Sequence, residues 1–154
     1  MARPRYHVLA TLPVAWWARK RLGVAGALAA GAMGILIDGD HLVDFAWMRM
    51  TGRRDKFLAP LHAWELLALA GVYAAWLRRR RPAGTPDIWG EVVAGVALGW
   101  WFHMVQDIAT NRPDHAGAYS ILNRLWRGFD RDSSGWAGHA TFHQWGGAPW
   151  WKWL

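Results

Sequence analysis

The sequence predicts an all-α fold: a small integral membrane bundle of three to four helices, followed by a short amphipathic helix and a loose C-terminal tail. Three observations carry this. Four apolar stretches recur along the 154 residues. The chain has 14 tryptophans, far more than a soluble domain of this size needs, and the indole ring suits the membrane–water boundary because its body is apolar and its N–H stays wet. Finally, histidines and carboxylates gather at His7, Asp38-Gly-Asp40-His41, His62-Ala-Trp-Glu65 and His103-Met-Val-Gln-Asp107. A charge beside a long apolar run is costly unless it is paired or bound to a metal.

The first stretch runs from about Tyr6 to Ala18 and stops at Arg19-Lys20-Arg21. It is short and carries Pro13, so a tilted or partly inserted helix is expected. A basic start followed by an apolar run is also the pattern of a signal peptide, but His7 fits the other polar clusters. The second, Leu22 to Ile37, is Ala, Gly, Leu, Ile and Val up to Asp38, and its helix would span about 24 Å. Ala27/Gly31 and Ala30/Gly34 are small-xxx-small pairs that allow close helix approach. A polar loop with Arg49, Arg53, Arg54, Asp55 and Lys56 is expected next. The third stretch, Phe57 to Leu77, would span about 31 Å as a helix and ends at Arg78–Arg81. Pro82 to Pro86 reads as a tight connection. The fourth, Ile88 to Ala109, contains Gly95 and Gly99, a second close-packing pattern. Tyr119 to Trp126 reads as a short amphipathic helix with Tyr119, Leu122, Leu125 and Trp126 on one face. The expected division is therefore a bundle over residues 1–129 and a Gly/Trp-rich tail over 130–154.

Composition narrows the chemistry. With no cysteine, thiolate metal sites, disulfides and cysteine nucleophiles are excluded, and any metal must be held by His, Asp or Glu. The formal charge of +7 suits either nucleic acid or anionic lipid. Alongside tryptophan and apolar runs, lipid is favoured and nucleic acid is not. The mean hydropathy of −0.03 averages apolar segments with polar loops.

If the helices alternate in direction, as short connections require, all four polar clusters fall at one end of the bundle and both basic turns at the other. Within the clusters, His103/Asp107 are four apart, and His62/Glu65 and Asp38/His41 three apart, so each pair shares a face if helical. Converging imidazoles and carboxylates suit Zn²⁺ first, with Mn²⁺ or Fe²⁺ as alternatives. The expected metal ligands are Asp40, His41, His62, His103 and Asp107, then His7 and Asp38. Glu65 is the expected general base, and Arg53, Arg54 or Arg112 the groups that hold an anionic head group. Each cluster also has a plainer reading: a lone buried histidine is commonly a hydrogen-bonded core residue, and Asp38 to His41 suits a helix-ending turn. Arg78–Arg81 reads as a topological anchor. His115 and the His139/His143 pair are not counted among the expected ligands.

At Asp38-x-Asp40-His41, at His62 and at Gly99-x-x-x-His103-x-x-x-Asp107 the chain resembles the membrane-bound, metal-dependent hydrolases of the LexA-regulated inner-membrane family. The resemblance runs from about Tyr6 to Thr110, with His7 as the early histidine. It implies a multi-pass membrane enzyme with a divalent metal at those residues. One departure stands out: the family's middle motif has two histidines separated by Arg-Gly-x-Thr, whereas this chain reads Pro60-Leu-His62-Ala-Trp-Glu65. A more distant similarity is to zinc phospholipases C and single-strand-specific zinc nucleases, all-helical phosphoesterases with His-x-x-x-Asp helices.

The expected function is metal-dependent hydrolysis at the cell membrane, with a phosphoester of a lipid or other amphiphile as substrate. A non-enzymatic metal-binding scaffold is the first alternative. A transporter or proton relay is the second, disfavoured because the stretches carry almost no polar residue far from the clusters apart from Glu91.

Overall fold

A computed structural model describes residues 4–81 and 87–137, with the side chains of 4–6 and 116 excepted. Five α-helices follow one another: α1 Pro4–Leu36, α2 His41–Thr51, α3 Trp64–Arg80, α4 Ile88–Asn111 and α5 Ile121–Trp126. No strand forms among the described residues; one antiparallel bridge joins Lys56 and Asp130.

Helix α1 is two limbs. Gly23 breaks it, with φ 72° and ψ −173°, in the left-handed region that glycine enters without a Cβ clash. A continuous helix would hold residues 11 and 34 about 35 Å apart. Instead, a Cβ on Gly34 would lie 2.7 Å from Thr11 Cγ2, and one on Gly31 would lie 3.6 Å from Ala15 Cβ. The limbs therefore fold back on each other, as two separate apolar stretches require. The reversal comes at Gly23 rather than at Arg19–Arg21, because only the glycine adopts the turn.

The second limb of α1 then packs against α4 with a repeat of four residues. A Cβ on Gly95 would meet the Gly26 carbonyl oxygen at 2.1 Å, and one on Gly99 the Ala30 carbonyl oxygen at 2.2 Å. One step further, His103 Nδ1 lies 3.0 Å from the Gly34 carbonyl oxygen. Small residues thus bring two backbones together, and the same register delivers His103 to its place. The small-xxx-small spacing was expected to work here; the rung used is Gly26, Ala30 and Gly34, with Gly31 facing the first limb.

Three segments differ from the sequence reading. The expected polar loop is shortened by the helix α2, which takes in Arg49, is entered directly from a 3-10 turn at Ile37–Asp40 and is closed by Gly52 at φ 70°; Arg53, Arg54, Asp55 and Lys56 lie in a non-helical segment, as expected. The third stretch does not become helical until Trp64, and Ala63 before it is extended. Residues 52–63 form an irregular segment, and α3 is correspondingly short. At the C-terminal side, Leu122, Leu125 and Trp126 are exposed, while Tyr119 is buried in a separate 3-10 turn. Tyr119 therefore does not share their face. Part of the expected tail packs onto the bundle, since Trp136 sits 4.9 Å from the rings of both Phe57 and Tyr119. The remainder of the tail, with His139 and His143, and the Pro82–Pro86 connection lie outside the described residues.

The two basic turns do meet. Arg21, Arg78 and Arg81 line one cavity together with Asp87 and Glu91. Burial is distributed in an unusual way. Among the most buried side chains are His7, Thr11, His62, His103, Asp107 and Arg124, while Leu9, Leu12, Trp16, Leu28, Leu69, Val72 and Trp101 are exposed.

Candidate metal centre

Each polar side chain reaches the centre from a different element. The first limb of α1 contributes His7, the 3-10 turn Asp38 and Asp40, α2 His41 and Asp44, the irregular segment His62, and α4 His103 and Asp107. The turn at Ile37–Asp40 matters because it swings Asp38 and Asp40 inward where a continued helix would rotate them apart. All of these residues are buried except Asp38, whose side chain is 24% exposed.

Four atoms form the middle of the site: Asp38 Oδ1, His62 Nε2, His103 Nε2 and Asp107 Oδ2. His62 Nε2 lies 3.0 Å from Asp107 Oδ2, 3.2 Å from His103 Nε2 and 3.6 Å from Asp38 Oδ1. His103 Nε2 lies 3.3 Å from Asp38 Oδ1 and 3.6 Å from Asp107 Oδ2. Ligand atoms about 2.0–2.1 Å from a tetrahedral ion stand about 3.3–3.4 Å from one another. The five separations bracket that edge. This buried His/Asp group could hold a divalent metal.

The surrounding hydrogen bonds prepare the donors. The backbone carbonyl of Gly34 can only accept, so His103 donates from Nδ1 and its Nε2 lone pair faces the centre. His62 Nδ1 lies 2.9 Å from Asp40 Oδ1, and Asp40 Oδ2 accepts from the backbone N–H of Leu61 at 2.6 Å and of His62 at 3.1 Å. A carboxylate behind an imidazole in this way fixes the ring and its tautomer. Burial alone would lower the His62 pKa, but Asp107, Asp38 and Asp40 around it outweigh that and hold it well above the ordinary value.

The expected residues divide by position. His7 stacks on His103 at 4.4 Å between ring centres, and its Nε2 lies 3.5 Å from Asp107 Oδ1. Among the described residues, neither His7 Nδ1 nor Asp107 Oδ1 has a hydrogen-bond partner although both are buried. Asp40, His41 and His62 make a second close group. His41 Nδ1 is 3.3 Å from Asp44 Oδ2, and Asp44 in turn accepts from the N–H groups of Leu58 and Ala59. Four carboxylates and four imidazoles thus converge, a donor set rich in negative charge that a bound cation would offset.

Glu65 is elsewhere. Since α3 begins at Trp64, His62 and Glu65 share no helical face. The Glu65 carboxylate accepts from the Ser120 hydroxyl, from Ile121 N–H at 3.0 Å and from Leu122 N–H at 3.3 Å. It caps α5 and does not face the cluster, so the structure does not support the base role expected for it.

Arg53 and Arg54 line a cavity with Lys56, Phe45, Met48, His41 and Asp44. Arg53 also pairs with Asp55 at 2.7 Å, which helps hold the Asp55 carboxyl down at about 2. Arg112 caps α4 at φ 48° and does not line this cavity. His115 is exposed, its ring against Gly135. Sequence reasoning missed Asp44 and Arg124. Asp44 follows His41 by three residues and would have been found had α2 been read as helical; Arg124 left no signal beyond its charge.

No protein family, curated protein or solved structure matches this chain.

Proposed function

We propose that the chain is a multi-pass membrane protein whose Asp38, His62, His103 and Asp107 hold a divalent ion, and that it hydrolyses a phosphoester of an amphiphilic substrate. The observation that carries the metal reading is that four ligand-type atoms converge, with five of their separations bracketing the edge length of a tetrahedral site. Two imidazoles, which would release their protons as the ion binds, and two carboxylates are ligands of zinc, with manganese and iron as alternatives. An ion bound there would supply Lewis acidity to a phosphoryl oxygen and acidify water.

This chain's own residues provide for a substrate in a specific way. The cavity beside the cluster joins the apolar Phe45 and Met48 to the cations Arg53, Arg54 and Lys56, a pairing suited to an acyl or other apolar chain and an anionic group. Asp38 is the cluster member that solvent reaches. It is therefore the member of the group that would both help hold an ion and face an incoming substrate. The membrane reading rests on two apolar segments, α4 at Ile88–Asn111 and the run His7–Thr51 that folds back at Gly23, and on the apolar exterior over a polar interior.

A second reading is favoured by one observation: the group offers four protein ligand atoms, the number that fills a closed structural site. On that reading the chain is a metal-stabilised membrane scaffold. Metal analysis of the detergent-purified protein, followed by a phosphoesterase assay of the wild type and of Asp38→Ala, separates the two. Stoichiometric metal with turnover that Asp38→Ala reduces supports the hydrolase. Stoichiometric metal without turnover on lipid and nucleotide phosphoesters supports the scaffold, and absence of metal overturns both.

A further inference from the structure

Arg124 is 0% exposed, and among the described residues no carboxylate pairs with it. Its guanidinium is spent on backbone carbonyls. Nη1 donates to Leu58 O at 2.7 Å and Ala59 O at 3.0 Å, and Nη2 donates to His62 O at 2.7 Å. Its face covers the Phe57 ring at 5.0 Å. Burial lowers its pKa, opposed by the nearby carboxylates of Asp40, Asp44 and Glu65. Putting a charge there is costly unless its donors are used.

The carbonyls it gathers belong to the one site-bearing segment that has no regular structure. Residues 57–63 turn sharply, and Ala59 is held at φ 22°, a conformation that a residue with a side chain rarely adopts. The opposite edge of that turn is held by carboxylates: Asp44 takes the N–H groups of Leu58 and Ala59, and Asp40 those of Leu61 and His62. Acceptors on one side and a five-donor fork on the other fix the backbone from which His62 reaches the cluster. Glu65 completes the attachment by capping α5, so that the helix carrying Arg124 is anchored at its own start.

We propose that Arg124 is a positioning residue for the metal centre, holding the 57–63 turn so that His62 Nε2 meets Asp38, His103 and Asp107. This rests on the metal reading above. A lysine keeps the charge but lacks the planar fork that spans three carbonyls.

The test uses the full chain in detergent, titrated with Co²⁺, whose visible absorption reports ligand number and type. Wild type is compared with Arg124→Lys, Arg124→Ala and His62→Ala. Loss of a group that orients a ligand lowers metal affinity about 10- to 100-fold, and Arg124→Lys and Arg124→Ala should each fall in that range with a cobalt spectrum like that of His62→Ala. Millimolar guanidinium should recover part of the affinity of Arg124→Ala and none of that of His62→Ala. Wild-type affinity and spectrum in both Arg124 variants would overturn the proposal. Amide hydrogen exchange gives a metal-free arm: Leu61 and His62 should exchange faster in Arg124→Lys while α1 and α4 keep their protection. If the wild type takes up no cobalt, the metal reading falls, and unchanged exchange at Leu61 and His62 overturns the clasp itself.

Discussion

His103 and Asp107 stand one helical turn apart on α4, and both point a ligand-type atom at His62. Their spacing could be read from the sequence because α4 is an uninterrupted helix, where four residues return to the same face. The same reasoning misled at His62 and Glu65, because the irregular 52–63 segment is set by contacts from Asp40, Asp44 and Arg124, far away in sequence. No local periodicity encodes such contacts. The residues predict distinct metal-binding outcomes. His103→Ala and Asp107→Ala should each bring zinc well below stoichiometric after gel filtration, since each removes one of four central atoms. Asp40→Asn should keep zinc at saturation but bind it about 10- to 100-fold more weakly, as loss of the group behind a ligating imidazole does. Competition with a chromogenic chelator measures all three. Equal affinity in Asp40→Asn and wild type would remove Asp40 from the support of His62. Glu65→Gln should leave zinc affinity near that of the wild type, because its oxygens serve α5.

At the scale of elements, the contact between the second limb of α1 and α4 positions His103. The sequence displayed the ingredients as glycines four apart, and the apolar stretches marked where helices would lie. It did not mark α2, whose Asp44, Arg49 and polar C-terminal flank resemble a loop. Nor did it mark the fold-back at Gly23, since Arg19–Arg21 offered a more conspicuous break. Gly99 is the most exacting position. A Cβ there would stand 2.2 Å from the Ala30 carbonyl oxygen, and that oxygen belongs to the backbone, which cannot swing aside. Gly99→Ala should force the helices apart and cost about 1–3 kcal/mol, the usual range for overpacking. It should also weaken zinc binding, because His103 loses its register with Gly34. Gly52→Ala, at an open position with nothing near its Cβ, should strain its positive φ yet leave zinc affinity unchanged. Thermal unfolding in detergent and the chelator competition give the two readouts; unaltered metal affinity in Gly99→Ala would disconnect the helix contact from the site.

For the whole molecule, the arrangement of tryptophan and basic side chains gives the bundle two unlike ends. At the end opposite the histidines, Lys20 lies 3.6 Å from the centre of the Trp16 ring and Arg80 4.5 Å from that of Trp76. Exposed Trp17 and Trp89 stand on the same helix ends, an association of indoles and cations that suits a membrane–water interface. Between the ends, the exposed surface is leucine, valine and tryptophan, an apolar extent that soluble monomers rarely present. The protein should therefore stay with the membrane pellet through carbonate extraction. Its topology can be tested cleanly because the chain has no cysteine. Single cysteines at Arg19 and Arg79 should both react with a membrane-impermeant maleimide from one side of sealed vesicles. A cysteine at Arg54, near the proposed metal centre, should react from the other side. Basic turns favour the cytoplasmic face, but the experiment needs only the relative sides. Reaction of all three positions from one side would mean that the bundle lies along the surface instead of crossing it, and it would remove the substrate geometry proposed for the cavity at Arg53 and Arg54.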